Sequence, residues 1–303
     1  MSAYAGAHAG TVAARAAAPR PAMTALLSLL ASLLWGGADF LGGTVSRRLA
    51  TYTVIGVSQA FSLAMLVPVA VLTGEFTTAR GYLGWGAAAG LVGLVALGAF
   101  YTALADGTMG VVAPIAATGV ALPVAVGLAG GDAPSLGQLL GLIVAVLGVL
   151  LTSGPELRSA GRSAGRPMAL AAVAAVGFGT VIVLVAHGSR SSVVMTLVAM
   201  RTVTVFLLLT LAGVRLRRPT VLRADLPVLA VIGAGDVAAN ACYAVASRTG
   251  LLSIVAVLAS LYPAVTAMLA HQLLGERLSG VQRLGVLGAL GGVALIAAGG
   301  GTG

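Results

Sequence analysis

The sequence predicts an all-α integral membrane protein, with ten transmembrane helices arranged as two inverted five-helix repeats. Three observations carry this. The chain of 303 residues is 59% hydrophobic and only 8% charged, whereas a water-soluble domain has about a quarter of its residues charged. Apolar runs near the roughly 20 residues that cross a bilayer core recur along its whole length. Polar landmarks of the first half also return, in order, in the second.

The runs fall at 24–45, 53–74, 82–105, 109–130, 136–153, 168–188, 192–213, 226–247, 251–274 and 280–299, separated by short loops that hold Gly, Pro and most of the charge. Residues 1–22 are Ala-rich and lack the ordered regions of a signal peptide. They read as a disordered tail, with Met23 as an alternative start. Residues 155–167 (PELRSAGRSAGRP) form a flexible linker between a first repeat at 23–154 and a second at 168–303.

The repeat itself is carried by Gly131-Asp132, Ser135, Gln138, Gly141 and Gly148, which return 144 residues later as Gly275-Glu276, Ser279, Gln282, Gly285 and Gly292. Trp35-Gly36 is matched to Phe178-Gly179, and Tyr101 to Tyr243. Five crossings per copy is an odd number, so the second copy inserts upside down. Inverted repeats are the basis of alternating access in many secondary transporters, with the site at the repeat interface near the midplane.

Composition excludes several classes. The net charge of +9 comes entirely from arginines, which sit singly or in short groups between apolar runs. Nucleic-acid binding needs clustered cations with stacking aromatics, so the bilayer and its headgroups are the expected partners. A lone Cys242 and three scattered histidines (His8, His187, His271) offer no disulfide and no metal-ligand pattern. No cofactor is expected. A chain without lysine has no Walker-type phosphate loop, and no catalytic serine, zinc or paired-acid motif is present. The expectation is a non-enzyme. A homodimer is left open.

The five-plus-five layout, the aromatic-Gly element LLWGGADF of the first span and LLGERLS before the last resemble the EamA-type transporters of the drug/metabolite transporter superfamily, over about 23–300. That resemblance implies a ten-helix carrier of small metabolites in the cell membrane, often an exporter, with a cavity between the halves. The first half departs from the family pattern by carrying Gly-Gly-Asp where Gly-Glu is common.

Ionisable groups at membrane depth cost about 2.5–3.5 kcal/mol on insertion scales and ask for a reason. Arg201 and Asp236 sit mid-span on two helices of one hairpin, and counting at 1.5 Å per residue from their shared loop puts them roughly 5 Å apart in depth. An ion pair, or two charges lining one cavity, is expected. Asp236, Asn240, Tyr243 and Ser247 form one helical stripe. Asp39 shares a face with Trp35, either lining a cavity or ending a broken helix. Gln59 holds in the first repeat roughly the place of Arg201, and Tyr101 that of Tyr243. On the ninth span, Ser260 and Tyr262 adjoin Pro263, whose ring frees a backbone carbonyl. Asp132, Glu276 and Arg277 are expected at span ends.

Ten spans place both termini on one side. Cytoplasmic termini, as the resemblance implies, would leave Arg15, Arg20, Arg80, Arg190 and Arg248 inside, and twice as many arginines outside, against the positive-inside rule. The functional expectation is a secondary transporter of small polar or amphipathic metabolites such as amino acids, exporting, and coupled to protons or exchange. The alternative is a flippase of a lipid or lipid-linked sugar.

Overall fold

The computed structural model describes residues 21–77, 80–107, 109–159, 165–215, 221–274 and 280–299. Nearly all of the expected tail, residues 160–164 of the linker, and the Gly275-to-Ser279 stretch with Glu276 and Arg277 lie outside the described residues.

The first repeat consists of α1 (Pro21–Ser46), α2 (Thr51–Thr73), α3 (Tyr82–Asp106), α4 (Met109–Ala117), α5 (Ala121–Ala129) and α6 (Leu136–Ser159). The second consists of α7 (Gly165–Ser189), α8 (Val193–Arg215), α9 (Leu226–Thr249), α10 (Leu252–Ala259), α11 (Tyr262–Leu274) and α12 (Gly280–Gly299). No strand occurs among the described residues. Among the described residues eight stretches are long and apolar enough to cross a membrane, and they match the first four and the sixth to ninth of the predicted runs. The fifth run is represented by the shorter apolar stretch Leu136–Gly148. Helix α12 packs against it.

Two of the predicted single helices are broken. The fourth divides at a 3-10 turn, Thr118–Val120, between α4 and α5, and the ninth divides at Ser260-Leu261 between α10 and α11. Proline explains both breaks. Pro123, one turn after Gly119, has no N–H to give its carbonyl, and Pro263 sits in the first turn of α11, where no donor is required.

The packing repeats itself about a two-fold. Helix α1 lies on α9, and its image α7 lies on α3; α3 crosses α8, and α9 crosses α2. Individual contacts coincide when residues are paired 143 apart, or 142 apart between α2 and α8. A Cβ at Gly36 would meet the Tyr262 carbonyl oxygen at 2.7 Å, and one at Gly179 would meet that of Gly119 at 2.3 Å. The Thr204 hydroxyl donates to the Gly90 carbonyl at 3.1 Å, and the Ser62 hydroxyl to that of Gly233 at 2.7 Å. Only glycine lets these backbones touch, the usual solution where lipid supplies no hydrophobic drive between helices.

This register corrects one pairing made from the sequence. Trp35 packs on Tyr243 with ring centroids 5.9 Å apart, and Phe178 packs on Phe100 at 5.2 Å. Since Trp35 and Phe178 are images, the image of Tyr243 is Phe100 rather than Tyr101. A slip of one residue turns a side chain by about 100° around a helix, and Tyr101 packs elsewhere, in the space left by Gly42.

Helices α6 and α12 form an antiparallel seam, in which Gly141 faces Gly292, Gly292 faces Ala145 and Gly288 faces Gly148. The ends of the molecule are tied across the repeats. Arg48 after α1 pairs with Asp225 before α9, and the Ser192 hydroxyl before α8 donates to Glu75 after α2. Asp132, expected at a span end, also caps a helix of the other repeat. Its Oδ2 accepts the Ser253 N–H and hydroxyl, both at 2.8 Å, at the start of α10.

Candidate functional site

A cavity of about 80 Å³ lies where the two repeats meet, walled by α1, α2, α3, α7, α8, α9 and the α10–α11 break. Eight of the residues singled out from the sequence line it: Trp35, Asp39, Gln59, Arg201, Asp236, Asn240, Ser260 and Tyr262. Tyr101 and Tyr243 do not line it. Both are buried beside it, and the Tyr243 hydroxyl donates to the Ile182 carbonyl at 3.2 Å.

Asp236 is the hub. Arg201 Nη2 lies 2.9 Å from its Oδ2, and the Arg201 side chain is only 4% exposed. Gln59 Nε2 donates to the same oxygen at 2.9 Å from the other repeat. Asn240 Nδ2, one turn along α9, donates to Oδ1 at 3.0 Å. The carboxylate thus gathers three partners from α2, α8 and α9. It has no need of a ligand to be satisfied.

Its neighbours are not satisfied. Among the described residues Arg201 Nε finds no hydrogen-bond partner, and Nη2, although within ion-pair distance of Asp236, is not aligned to make a hydrogen bond. Gln59 Oε1 and the Tyr262 hydroxyl are also buried without a hydrogen-bond partner among the described residues. Asp39 is 7% exposed and makes no hydrogen bond or ion pair among the described residues. An unpaired buried polar group costs about 1–3 kcal/mol, more when charged. Several of them around one cavity are costly to the empty protein. They are the groups a ligand would satisfy.

Apart from Gly93 and Thr204, the remaining wall is apolar: Leu97, Phe178, Val181, Ile182, Met200 and Ala259. The repeat register explains this mixture. Paired across the two-fold, Trp35 faces Phe178, Asp39 faces Ile182, Gln59 faces Arg201, Gly93 faces Asp236 and Leu97 faces Asn240, and all ten line the cavity. The backbone frame is symmetric while its chemistry is not. Phe178, Gly93 and Leu97 were not expected as lining residues from the sequence, although extending the repeat from Trp35, Asp236 and Asn240 would have found them. Thr204 and Met200, also in the wall, adjoin Arg201 on α8 and carried no signal of their own.

Among the described residues no group of three His, Cys, Asp or Glu side chains is placed to hold a metal ion. The site is a small chamber, with a few polar groups set in an apolar wall, inside a multi-pass membrane protein made of two repeats. The model of the EamA-like transporter family matches residues 22–154 and again 166–298, one match per repeat. The chain belongs to that family. No curated protein matches it. A solved structure, described only as the crystal structure of a protein, is 16% identical and aligns over 91% of this chain and 96% of its own at a TM-score of 0.72. It shares the fold.

Proposed function

We propose that the protein is a secondary transporter, an exporter in the cell membrane, that carries small zwitterionic or amphipathic metabolites such as amino acids through ten crossings by alternating access. The observation that carries this reading is the bipolar chamber between the repeats. Arg201 presents Nε and Nη2 without hydrogen bonds, which suits a carboxylate. Asp39 is a carboxylate without a counter-ion among the described residues, which suits an ammonium group or a transported proton. The apolar walls suit a side chain. The export direction is taken over from the family.

Alternating access is supported by the inverted repeats and by the site's position at their interface. The missing phosphate loop supports coupling to an ion or to exchange, or downhill flow, over ATP hydrolysis by this chain. A flippase for phosphate-bearing lipids fits less well. Among the described residues Arg201 is the one cation lining the chamber, and it is already paired with Asp236, so a phosphate finds no second cation there.

The test is counterflow in proteoliposomes with labelled amino acids, sugars and nucleosides at two pH values. Arg201→Ala and Asp39→Asn are expected to lower uptake of the preferred amino acid at least tenfold. Uptake unchanged in both variants would sink the assignment of the chamber, and uptake indifferent to a pH gradient would leave exchange as the driving process.

A further inference from the structure

The chamber's own volume of about 80 Å³ is far below the roughly 300–1,000 Å³ of pockets that enclose whole small molecules. It accommodates a head group. A second cavity, of about 540 Å³, adjoins it between α5, α6 and α10. Its wall is almost wholly apolar, with Val124 and Leu128 from α5, Leu139, Ile143 and Leu147 from α6, and Val257 from α10. Ser260 lines both cavities. It stands where α10 stops and α11 begins, beside the unpartnered Tyr262 hydroxyl. Ala117, the image of Ser260 across the two-fold, lines the side cavity at the matching break between α4 and α5. Ser260, a small residue at a helix interruption, is thus the one residue common to the two linings among the described residues, and an unbranched chain meets little side-chain bulk there.

We propose that the side cavity is a binding site for the hydrocarbon tail of the substrate. It receives a straight alkyl chain whose polar head is held in the chamber by Arg201 and Asp39. This deepens the transporter reading and rests on it for the head group. The preferred ligand is then a long-chain amphiphile with an ammonium and a carboxylate at one end. Leu128, Leu139, Ile143 and Leu147 are exposed at the outer lip of the cavity, on the lipid-facing side, so the tail can enter from the bilayer while the head passes through the chamber. The gain is hydrophobic and grows with each methylene buried.

The probe is 2-aminododecanoate bearing a diazirine in its chain, photolysed on the full-length protein in lipid nanodiscs and mapped by peptide mass spectrometry. The unlabelled competitors are 2-aminobutanoate and 2-aminododecanoate. Label is expected on the α5 and α6 residues of the side cavity, with the long competitor at least tenfold more effective than the short one. Ala125 lines the cavity from its exposed side, so Ala125→Phe fills it without disturbing the core. That variant should lose at least fivefold of the label and the preference for the long competitor. Label spread equally over other lipid-facing helices, or unchanged in Ala125→Phe, overturns the proposal by making the cavity ordinary lipid-filled surface. Arg201→Ala separates the two readings. Label that survives Arg201→Ala but is lost in Ala125→Phe keeps the tail site and removes the head-group assignment.

Discussion

At the scale of single residues, the buried pair Arg201–Asp236 decides more than any other contact. Removing one member of a buried pair leaves a charge with nothing to balance it, at a cost of about 3–5 kcal/mol, whereas removing both together costs much less. Arg201→Ala should therefore lower the thermal unfolding midpoint in detergent more than Arg201→Ala with Asp236→Ala does. Midpoints that add independently would show that the two charges do not support one another. Gln59 complicates the comparison usefully, because its amide holds Asp236 Oδ2 from the other repeat. Gln59→Leu should weaken the protein less than Arg201→Ala, since it removes a neutral donor rather than a counter-charge. The pair could be read from the sequence because both residues belong to one hairpin and their depths count from one loop. The Gln59 contact could not be read that way. It joins helices far apart in the chain, and only the fold sets the distance between them.

At the scale of elements, helix crossings are set by where a side chain is missing. Gly179 has a carbonyl oxygen 2.3 Å from where its Cβ would stand, whereas Gly37, one residue from the equivalent Gly36, has nothing within 4 Å. Gly179→Ala is thus expected to cost about 1–3 kcal/mol by overpacking, seen as a lower midpoint and less monodisperse protein on size exclusion, and Gly37→Ala to be neutral. Equal behaviour of the two variants would contradict the crossing. Hydropathy gave the positions of the long helices within a few residues, because mean apolarity over some 20 residues is what lipid selects. It could not show the interruptions at Thr118–Val120 and Ser260-Leu261, since a helix that breaks between two apolar halves is as apolar as one that does not. The prolines were visible, but a proline in a membrane helix is compatible with a kink, a break or neither. The pairing of Tyr101 with Tyr243 failed for a related reason. Matching by residue type tolerates a slip of one position that helix geometry does not.

At the scale of the whole molecule, two latches join the repeats at opposite ends, Arg48 with Asp225 and Ser192 with Glu75. An alternating-access cycle must open one end while the other stays shut. In a Cys242→Ser background, joining Arg48→Cys to Asp225→Cys by a disulfide should reduce counterflow at least tenfold, and reduction should restore it. Full-rate transport by the cross-linked protein would show that this end takes no part in the cycle. The division into two repeats was legible because polar landmarks of the first copy return in order in the second; the inversion is what the expected five crossings per copy imply. The chemistry of the chamber was legible only in its charged members, and its apolar half became visible once the two copies were superposed in space.

That superposition has a consequence for how cargo lies in the membrane. Asp39, Arg201, Asp236 and Asn240 each have an image, at Ile182, Gln59, Gly93 and Leu97, on the same wall. Exchanging each residue with its image would rebuild the same cradle turned end over end about an axis in the bilayer plane. The acidic end of the proposed ligand would then point toward the opposite leaflet, held by the same four residue types. Which leaflet the head of the proposed ligand greets first is thus written in eight positions on a frame that is indifferent to the answer.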